Sequence, residues 1–279
     1  MQYAKLNTGA SMPMIGYGVF LVEDGPVCVD AVKSAIETGY RHIDTASAYK
    51  NERSVGQAIK ESGVAREDIF LTTKIFNDEQ RSGDIEGAFS ASLEKLGTDY
   101  VDLYLIHWPV KECFVNTWLA LEEIYKSGRA KAIGVSNFHA HHLAAIQEVW
   151  TVTPAVNQVE RHPRLNQKPL VELCQDLGIV FQAWSPLGGS RDIQAVRSGL
   201  LENEHLVAIG EKYGKSPAQV ILRWDTQQGI VALPKSVTPS RMKQNLEVFD
   251  FSLTPEEIAL IDGLNENTRA GSDPDNFSF

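Results

Sequence analysis

Short apolar runs alternate with longer stretches in which apolar residues recur at helical spacing. The short runs are rich in β-branched and aromatic residues, which is typical of strands. The runs predicted as strands are Ile15–Val19, Arg41–Ile43, Ile69–Thr73, Val101–Ile106, Ala132–Val135, Ala155–Val156, Val180–Ala183 and Ile230–Leu233. The stretches predicted as helices include Val27–Glu37, Glu52–Ser62, Ile85–Leu96, Val115–Ser127, His139–Val149, Lys168–Leu177, Pro217–Gln227 and Ser240–Phe249.

This alternation predicts parallel strands, because a helix joins each strand to the next. At roughly 30 residues a unit, eight units fit a closed (β/α)8 TIM barrel of about 250 residues. A doubly wound open sheet is the competing architecture. It usually carries G-x-G-x-x-G after its first strand, and the chain has no such motif. We expect one α/β barrel domain over residues 1–279, with a hairpin around the turn Asn7–Ala10 capping one barrel end.

Composition and charge narrow the function. The net charge of −10 and pI of about 5.2 argue against nucleic acid or an anionic membrane as the main partner. The three cysteines cannot form a fully paired disulfide framework and include no CxxC motif. No apolar run reaches the roughly 20 residues that would span a bilayer. We therefore expect a cytoplasmic protein with reduced thiols. Three nearby histidines, His139, His141 and His142, do not share one helix face, so we expect solvated side chains there and no metal site.

Polar or aromatic residues follow seven of the eight predicted strands. They are Asp44, Lys74, His107, Ser136 with Asn137, Asn157 with Gln158, Trp184 with Ser185, and Lys235 with Ser236. The active site of a barrel lies at the C-terminal ends of its strands, so these side chains should meet at one rim. Any one of them alone could be a solvated surface residue. Together they bring a carboxylate, an ammonium and an imidazole to the same place, with Tyr49 shortly after Asp44.

The sequence around these residues resembles the aldo-keto reductase family over nearly its whole length. The segments that carry the resemblance are Gly39–Glu52, Leu103–Pro109, Ile133–Phe138 and Leu233–Val237 with Arg241 and Asn245. Within the family, the chain is most similar to compact bacterial members such as 2,5-diketogluconate and methylglyoxal reductases. The resemblance implies NADPH-dependent reduction of small carbonyl substrates by a protein that is commonly a monomer.

The resemblance assigns the catalytic roles to four residues. Tyr49 is the expected general acid, Lys74 tunes it, Asp44 holds Lys74, and His107 donates to the carbonyl oxygen. A free tyrosine has a pKa of about 10, and a neighbouring ammonium is expected to lower it.

The cofactor site also follows from the resemblance. Ser136, Asn137 and Gln158 would hold the nicotinamide carboxamide, and Trp184 would stack on its ring. The expected clamp on the 2′-phosphate consists of Lys235, Ser236 and Arg241. The remaining expected cofactor contacts are Ser185, Leu187, Val237, Gln244 and Asn245.

Some positions depart from the family pattern. Phe20 and Phe76 stand where tryptophan is common, and with Trp108 they are expected to line an open substrate pocket. Arg161 and Asp225 stand where apolar and neutral residues are usual, and the sequence offers no physical account of them. Two other functions remain open: a non-catalytic NADPH-binding regulatory module, and a sugar-phosphate isomerase barrel, which would usually carry a Gly-rich phosphate loop.

Overall fold

The computed structural model describes residues 1–189 and 199–279. Its first two strands, β1 (Tyr3–Lys5) and β2 (Ser11–Pro13), pair in antiparallel fashion, which confirms the predicted hairpin. Leu6 and Met12 of this hairpin are buried in one apolar cluster with residues that begin barrel strands. The hairpin therefore closes the end of the barrel opposite the predicted site.

Eight parallel strands follow the order of the chain around a ring, so the predicted barrel is confirmed. They are β3 (Tyr17–Gly18), β4 (His42–Asp44), β5 (Phe70–Ile75), β6 (Leu103–Ile106), β7 (Ile133–Ser136), β8 (Val156–Glu160), β9 (Val180–Trp184) and β10 (Val231–Leu233). The ring closes through Ala232, whose main chain bonds Met14 and Gly16 at 2.9 Å each.

Helices surround the ring. Those that lie wholly within the described residues, apart from the helical residues 199–201, are α1 (Pro26–Thr38), α2 (Glu52–Glu61), α3 (Asn77–Ser82), α4 (Ile85–Leu96), α5 (Phe114–Lys126), α6 (Ala140–Gln147), α7 (Lys168–Asp176), α8 (Glu204–Tyr213), α9 (Pro217–Gln227), α10 (Pro239–Leu246) and α11 (Pro255–Asp262). The predicted helices are present with ends that shift by a few residues. Across those same residues, none of the helices combines the length and apolarity that crossing a membrane requires.

The two unexplained departures from the family pattern are partners. Arg161 follows β8, Asp225 lies on α9, and the Arg161 Nε to Asp225 Oδ1 distance is 2.8 Å. Both side chains are almost completely buried, and the guanidinium lies 3.9 Å from the ring centre of Trp224. Burial lowers the pKa of Arg161 and raises that of Asp225 to about 6. Each charge is tolerated at its position because the other is present.

Candidate active site

Three adjacent strands and one turn bring the four predicted catalytic residues together. Asp44 ends β4, Lys74 lies near the end of β5, and His107 directly follows β6. Because parallel strands end at the same rim, residues of such different sequence positions become neighbours. Tyr49 reaches the group from a short 3-10 turn, Ser47–Tyr49, just after β4.

The buried Lys74 ammonium lies at the centre of this group. Its Nζ is 2.6 Å from Asp44 Oδ1, 2.9 Å from the Thr45 carbonyl oxygen and 3.4 Å from the Tyr49 hydroxyl. Lys74 has no exposed surface, so these three oxygens replace the water that an ammonium would otherwise bind. The arrangement links the Asp44 carboxylate to the Tyr49 phenol through one cation.

The charges of this group shift its pKa values. Burial acts to lower the pKa of Lys74, but Asp44 and Tyr49 outweigh it and hold this pKa above the ordinary value. Burial is also the largest influence on Tyr49 and raises the pKa of its hydroxyl, although Lys74 acts to lower it. The expected net lowering of the Tyr49 pKa is therefore wrong, because loss of water outweighs the ammonium. Tyr49 stays protonated and Lys74 stays charged at neutral pH.

His107 lies beside Tyr49, with 5.5 Å between the ring centres. Burial first, and then the Lys74 charge, lower the pKa of His107 well below its ordinary value. The imidazole is therefore neutral at pH 7 and carries one N–H. A single N–H is what a hydrogen bond to a carbonyl oxygen requires.

Two expected cofactor residues are tied to this group. Gln158 on β8 donates from Nε2 to Asp44 Oδ2 at 2.8 Å and to Gln182 Oε1 at 2.8 Å. Ser136, at the end of β7, donates to the Gln158 carbonyl oxygen at 2.8 Å. Gln182 on β9 was not predicted. It is a buried polar residue in an otherwise apolar strand, and this feature could have indicated a role in the site.

Asn137 adopts a left-handed backbone conformation, with φ of 63°, directly after β7. Its side chain donates to the His107 carbonyl oxygen at 2.9 Å and accepts from the Trp184 indole at 2.8 Å. The Trp184 ring also lies against Gly271, where a Cβ would come within 2.4 Å of it. Asn137 and Trp184 thus share the rim with His107, as the sequence predicts.

The expected phosphate clamp surrounds the start of α10. Lys235 and Arg241 are exposed, and Thr238 begins the helix without a side-chain cap. Two buried tyrosines fix the main chain here, since Tyr17 donates to Ser236 O at 2.7 Å and Tyr40 donates to Met242 O at 3.1 Å. Uncapped N–H groups at a helix start, together with two cations, suit a phosphate group.

The other expected cofactor contacts lie in two places. Val237 is exposed before α10, Gln244 is exposed on that helix, and Asn245 is buried beside Tyr40. Ser185 has a left-handed φ of 51°, and Leu187 packs partly buried against the core. Both follow β9 at the rim that Asn137 and Trp184 share, whereas Val237, Gln244 and Asn245 lie just before and on α10.

Aromatic rings pack against Tyr49 and His107. Phe20 is 5.1 Å from the Tyr49 ring and Phe76 is 5.7 Å from the His107 ring, between ring centres. Trp108 instead contacts Phe277 and Phe279 of the C-terminal segment, each at 5.2 Å. Phe279 also stacks on Phe76 at 6.3 Å. The sequence did not predict Phe277 and Phe279 as pocket residues. The feature that could have indicated them is the occurrence of two aromatic residues in an otherwise polar segment.

The three histidines expected to be solvated form a cluster with Asp275. One ligand atom from each of the four residues lies within 4.8 Å of every other. His142 is only 8% exposed, so the expectation of solvated side chains is wrong for it. The three rings would point apart if all three histidines lay on one helix. His139 instead precedes α6, which leaves its ring free to turn toward the others.

The chain is similar in sequence and in fold to known proteins of one family. The model of the aldo/keto reductase family matches residues 24–266. A glyoxal reductase from Bacillus subtilis is 50% identical over 275 residues, which cover 99% of this chain and 97% of that protein. A 9,11-endoperoxide prostaglandin H2 reductase from Trypanosoma cruzi is 50% identical, covering 98% of this chain and 94% of that protein. The crystal structure of an aldo/keto reductase from Brucella melitensis has a TM-score of 0.88 at 46% identity, covering 94% and 99%.

The chain therefore belongs to the aldo/keto reductase family. Membership makes it an oxidoreductase and supports reduction of small carbonyl compounds with a nicotinamide cofactor. The expected similarity to 2,5-diketogluconate reductases stays a prediction.

Proposed function

We propose that this protein reduces small aldehydes and ketones to alcohols with NADPH, and that Tyr49 is the general acid. The observation that carries the proposal is the continuous contact from Asp44 through Lys74 to the Tyr49 hydroxyl, with a neutral His107 alongside. The 50% identity to a glyoxal reductase supports small, reactive carbonyl substrates.

The chain's own residues handle the oxygen and its proton. A nicotinamide cofactor, when bound, supplies a hydride to the carbonyl carbon. Negative charge then develops on the oxygen, where His107 donates its N–H and the Tyr49 hydroxyl gives up its proton. Lys74 stabilises the phenolate that remains, and Asp44 keeps Lys74 charged. Donors aimed at developing oxyanion charge lower such barriers by several kcal/mol.

NADPH rather than NADH is proposed because of the residues around the start of α10. The whole protein carries a charge of −10, so its overall field repels a phosphate dianion. Any preference for the 2′-phosphate has to come from local donors. Lys235, Arg241 and the uncapped first turn of α10 supply a suitable set.

Replacing Arg241 by alanine is expected to weaken NADPH binding at least about tenfold and leave NADH binding almost unchanged. The reason is that only NADPH has the 2′-phosphate that the guanidinium would contact. Both cofactors can be titrated by quenching of tryptophan fluorescence, with Trp184 the expected reporter.

Lys243→Ala is the matched control, since it removes an equal charge from the same helix, at a side chain that faces Glu247. It should leave both affinities near those of the wild type. Equal wild-type affinities for NADH and NADPH, or equal losses in Arg241→Ala, would contradict the proposed clamp.

Substrate choice is expected to favour small reactive carbonyls such as methylglyoxal and benzaldehydes over steroid ketones. The rings of Phe20 and Phe76 reach those of Tyr49 and His107, but Phe20 is 52% exposed, so the wall buries little of a large ligand. Steady-state kcat/KM for each class tests this. A higher kcat/KM for a steroid ketone than for methylglyoxal would show that the pocket encloses large ligands and would contradict this expectation.

A further inference from the structure

The cluster of His139, His141, His142 and Asp275 raises the question of what it binds. Three imidazoles and a carboxylate could bind a transition metal ion, or they could form hydrogen bonds with one another. The two cases need opposite protonation states. A metal takes the lone pair of a ring nitrogen, whereas a hydrogen bond to Asp275 needs an N–H at that same nitrogen.

The neighbours of two of the rings fix which ring nitrogen accepts and which carries the proton. Arg269 Nη2 lies 2.8 Å from His139 Nε2, and a guanidinium can only donate, so Nε2 of His139 is the acceptor. The proton of neutral His139 is then on Nδ1, which is 3.0 Å from Asp275 Oδ2. His139 therefore donates to Asp275.

His142 is fixed in the same way by the start of α6. The main-chain N–H of His139 donates to His142 Nδ1 at 3.1 Å, so the proton of neutral His142 is on Nε2. That atom is 3.4 Å from Asp275 Oδ1, and His141 Nε2 is 3.0 Å from the same oxygen. A metal ion at His139 Nδ1 would move the proton of that ring to Nε2, where it would face the Arg269 guanidinium, which can only donate. A metal ion at His142 Nε2 would likewise move the proton to Nδ1, where it would face the main-chain N–H of His139.

The carboxylate held in this way belongs to the segment that contacts the pocket aromatics. Asp275 lies two residues before Phe277, whose ring contacts Trp108, and four before Phe279, which contacts Trp108 and Phe76. At its far end the Phe279 main-chain oxygen accepts from Asn77 at 2.9 Å and from Arg81 at 3.1 Å. The segment is thus held on both sides of its two aromatic rings.

We propose that Asp275, hydrogen-bonded by His139 and approached by His142, is a positioning residue that holds Phe277 and Phe279 over the substrate pocket and so sets the preference for carbonyl substrates with an aromatic substituent. The specificity part rests on the proposed reductase function. The grip itself rests only on the contacts around Asp275.

The test compares Asp275→Ala with the wild type on phenylglyoxal and methylglyoxal. Loss of ordered aromatic contacts should raise KM for phenylglyoxal about fivefold. The kcat and KM for methylglyoxal, and the affinity for NADPH, should stay within about twofold. Asp250→Ala, which removes an equal charge from an exposed residue paired with the partly buried Lys215, should change KM for neither substrate.

A double-mutant comparison separates positioning from a general structural role. In a Phe277→Ala/Phe279→Ala background, Asp275→Ala should add no further change in KM for phenylglyoxal, because the rings it positions are absent. Equal effects on both substrates, additive effects in that background, or no effect at all would overturn the proposal.

Hydrogen exchange tests the hold on the segment independently of the enzyme's activity. Hydrogen exchange in residues 272–279 should be faster in Asp275→Ala; unchanged exchange would show that the grip does not hold the segment. If the wild type reduces neither ketoaldehyde, the proposed function fails and the specificity proposal falls with it, while exchange still tests the grip.

His142→Gln tests the metal alternative. Glutamine at this position of a helix can accept from the His139 N–H and still donate from its amide, so the wild-type KM for phenylglyoxal should be retained. Titration of metal-free wild type with ZnCl2 should show no one-to-one binding at micromolar concentrations. Zinc binding that disappears in His142→Gln and in Asp275→Ala would make the cluster a metal site and overturn the proposed grip.

Discussion

Tyr49→Phe is expected to lower kcat by at least about 100-fold, the usual scale of general acid catalysis. The substitution keeps the aromatic ring, which packs 5.1 Å from Phe20 and 5.5 Å from His107, and removes only the hydroxyl beside Lys74. Cofactor affinity should be nearly unchanged, since the expected cofactor contacts are other residues. The measurement is single-turnover reduction of methylglyoxal, which isolates the chemical step from product release.

Tyr3→Phe is the control for this result. It makes the same chemical change at an exposed residue of the hairpin, at the other end of the barrel, and should leave kcat unaltered. If Tyr49→Phe kept more than roughly a third of the wild-type rate of the chemical step, another group would have to supply the proton.

Asp225→Ala is expected to cost about 3–5 kcal/mol of the free energy of unfolding. Removing the carboxylate leaves the Arg161 guanidinium, 2% exposed, without its 2.8 Å partner. Among the described residues, the direct contacts that remain to that cation are the Trp224 ring and the Asn166 carbonyl oxygen, which are uncharged. Asp262 also favours the charged form of Arg161, but less than Asp225 does. Urea unfolding at neutral pH measures the loss.

Two variants test the reason for that loss. Asp250→Ala breaks the pair between the exposed Asp250 and the partly buried Lys215, whose ammonium can then reach water, and should cost no more than about 1 kcal/mol. Arg161→Met combined with Asp225→Leu removes both buried charges and should recover most of the stability lost in Asp225→Ala. A double variant as unstable as Asp225→Ala would show that packing, and not the unpaired charge, causes the loss.

Most of the barrel could be predicted from the sequence because the spacing at which apolar residues recur differs between its strands and its helices. The prediction fails where that period is hidden. Strand β8 was expected to end at Val156 but continues to Glu160. The predicted end came too early because polar residues such as Asn157 and Gln158 interrupt the apolar run, although the strand carries them into the buried rim. Helix α3 contains no apolar residue to show a period. Helix α11 was also missed, although Thr254 and Glu257 form a capping box that could have marked its start.

The catalytic group could be predicted because strand ends of a barrel share one rim, whatever their distance in sequence. Contacts between loops that are remote in sequence could not be predicted. Nothing in the sequence pairs Arg161 with Asp225, or Asp275 with the histidines before and within α6, because these contacts depend on how segments outside the strand register fold back. The pKa of Tyr49 was expected in the wrong direction for a related reason, since the sequence shows the ammonium but not the loss of water.

The most direct test of the proposed function follows the hydride itself. The wild-type protein is incubated with methylglyoxal and NADPH that carries deuterium at the transferable position of the nicotinamide ring, and the product is analysed by mass spectrometry. We predict one deuterium on the carbinol carbon for each NADPH consumed. Binding of NADPH without any alcohol product, with methylglyoxal and with benzaldehydes, would contradict the account and favour a non-catalytic cofactor-binding protein.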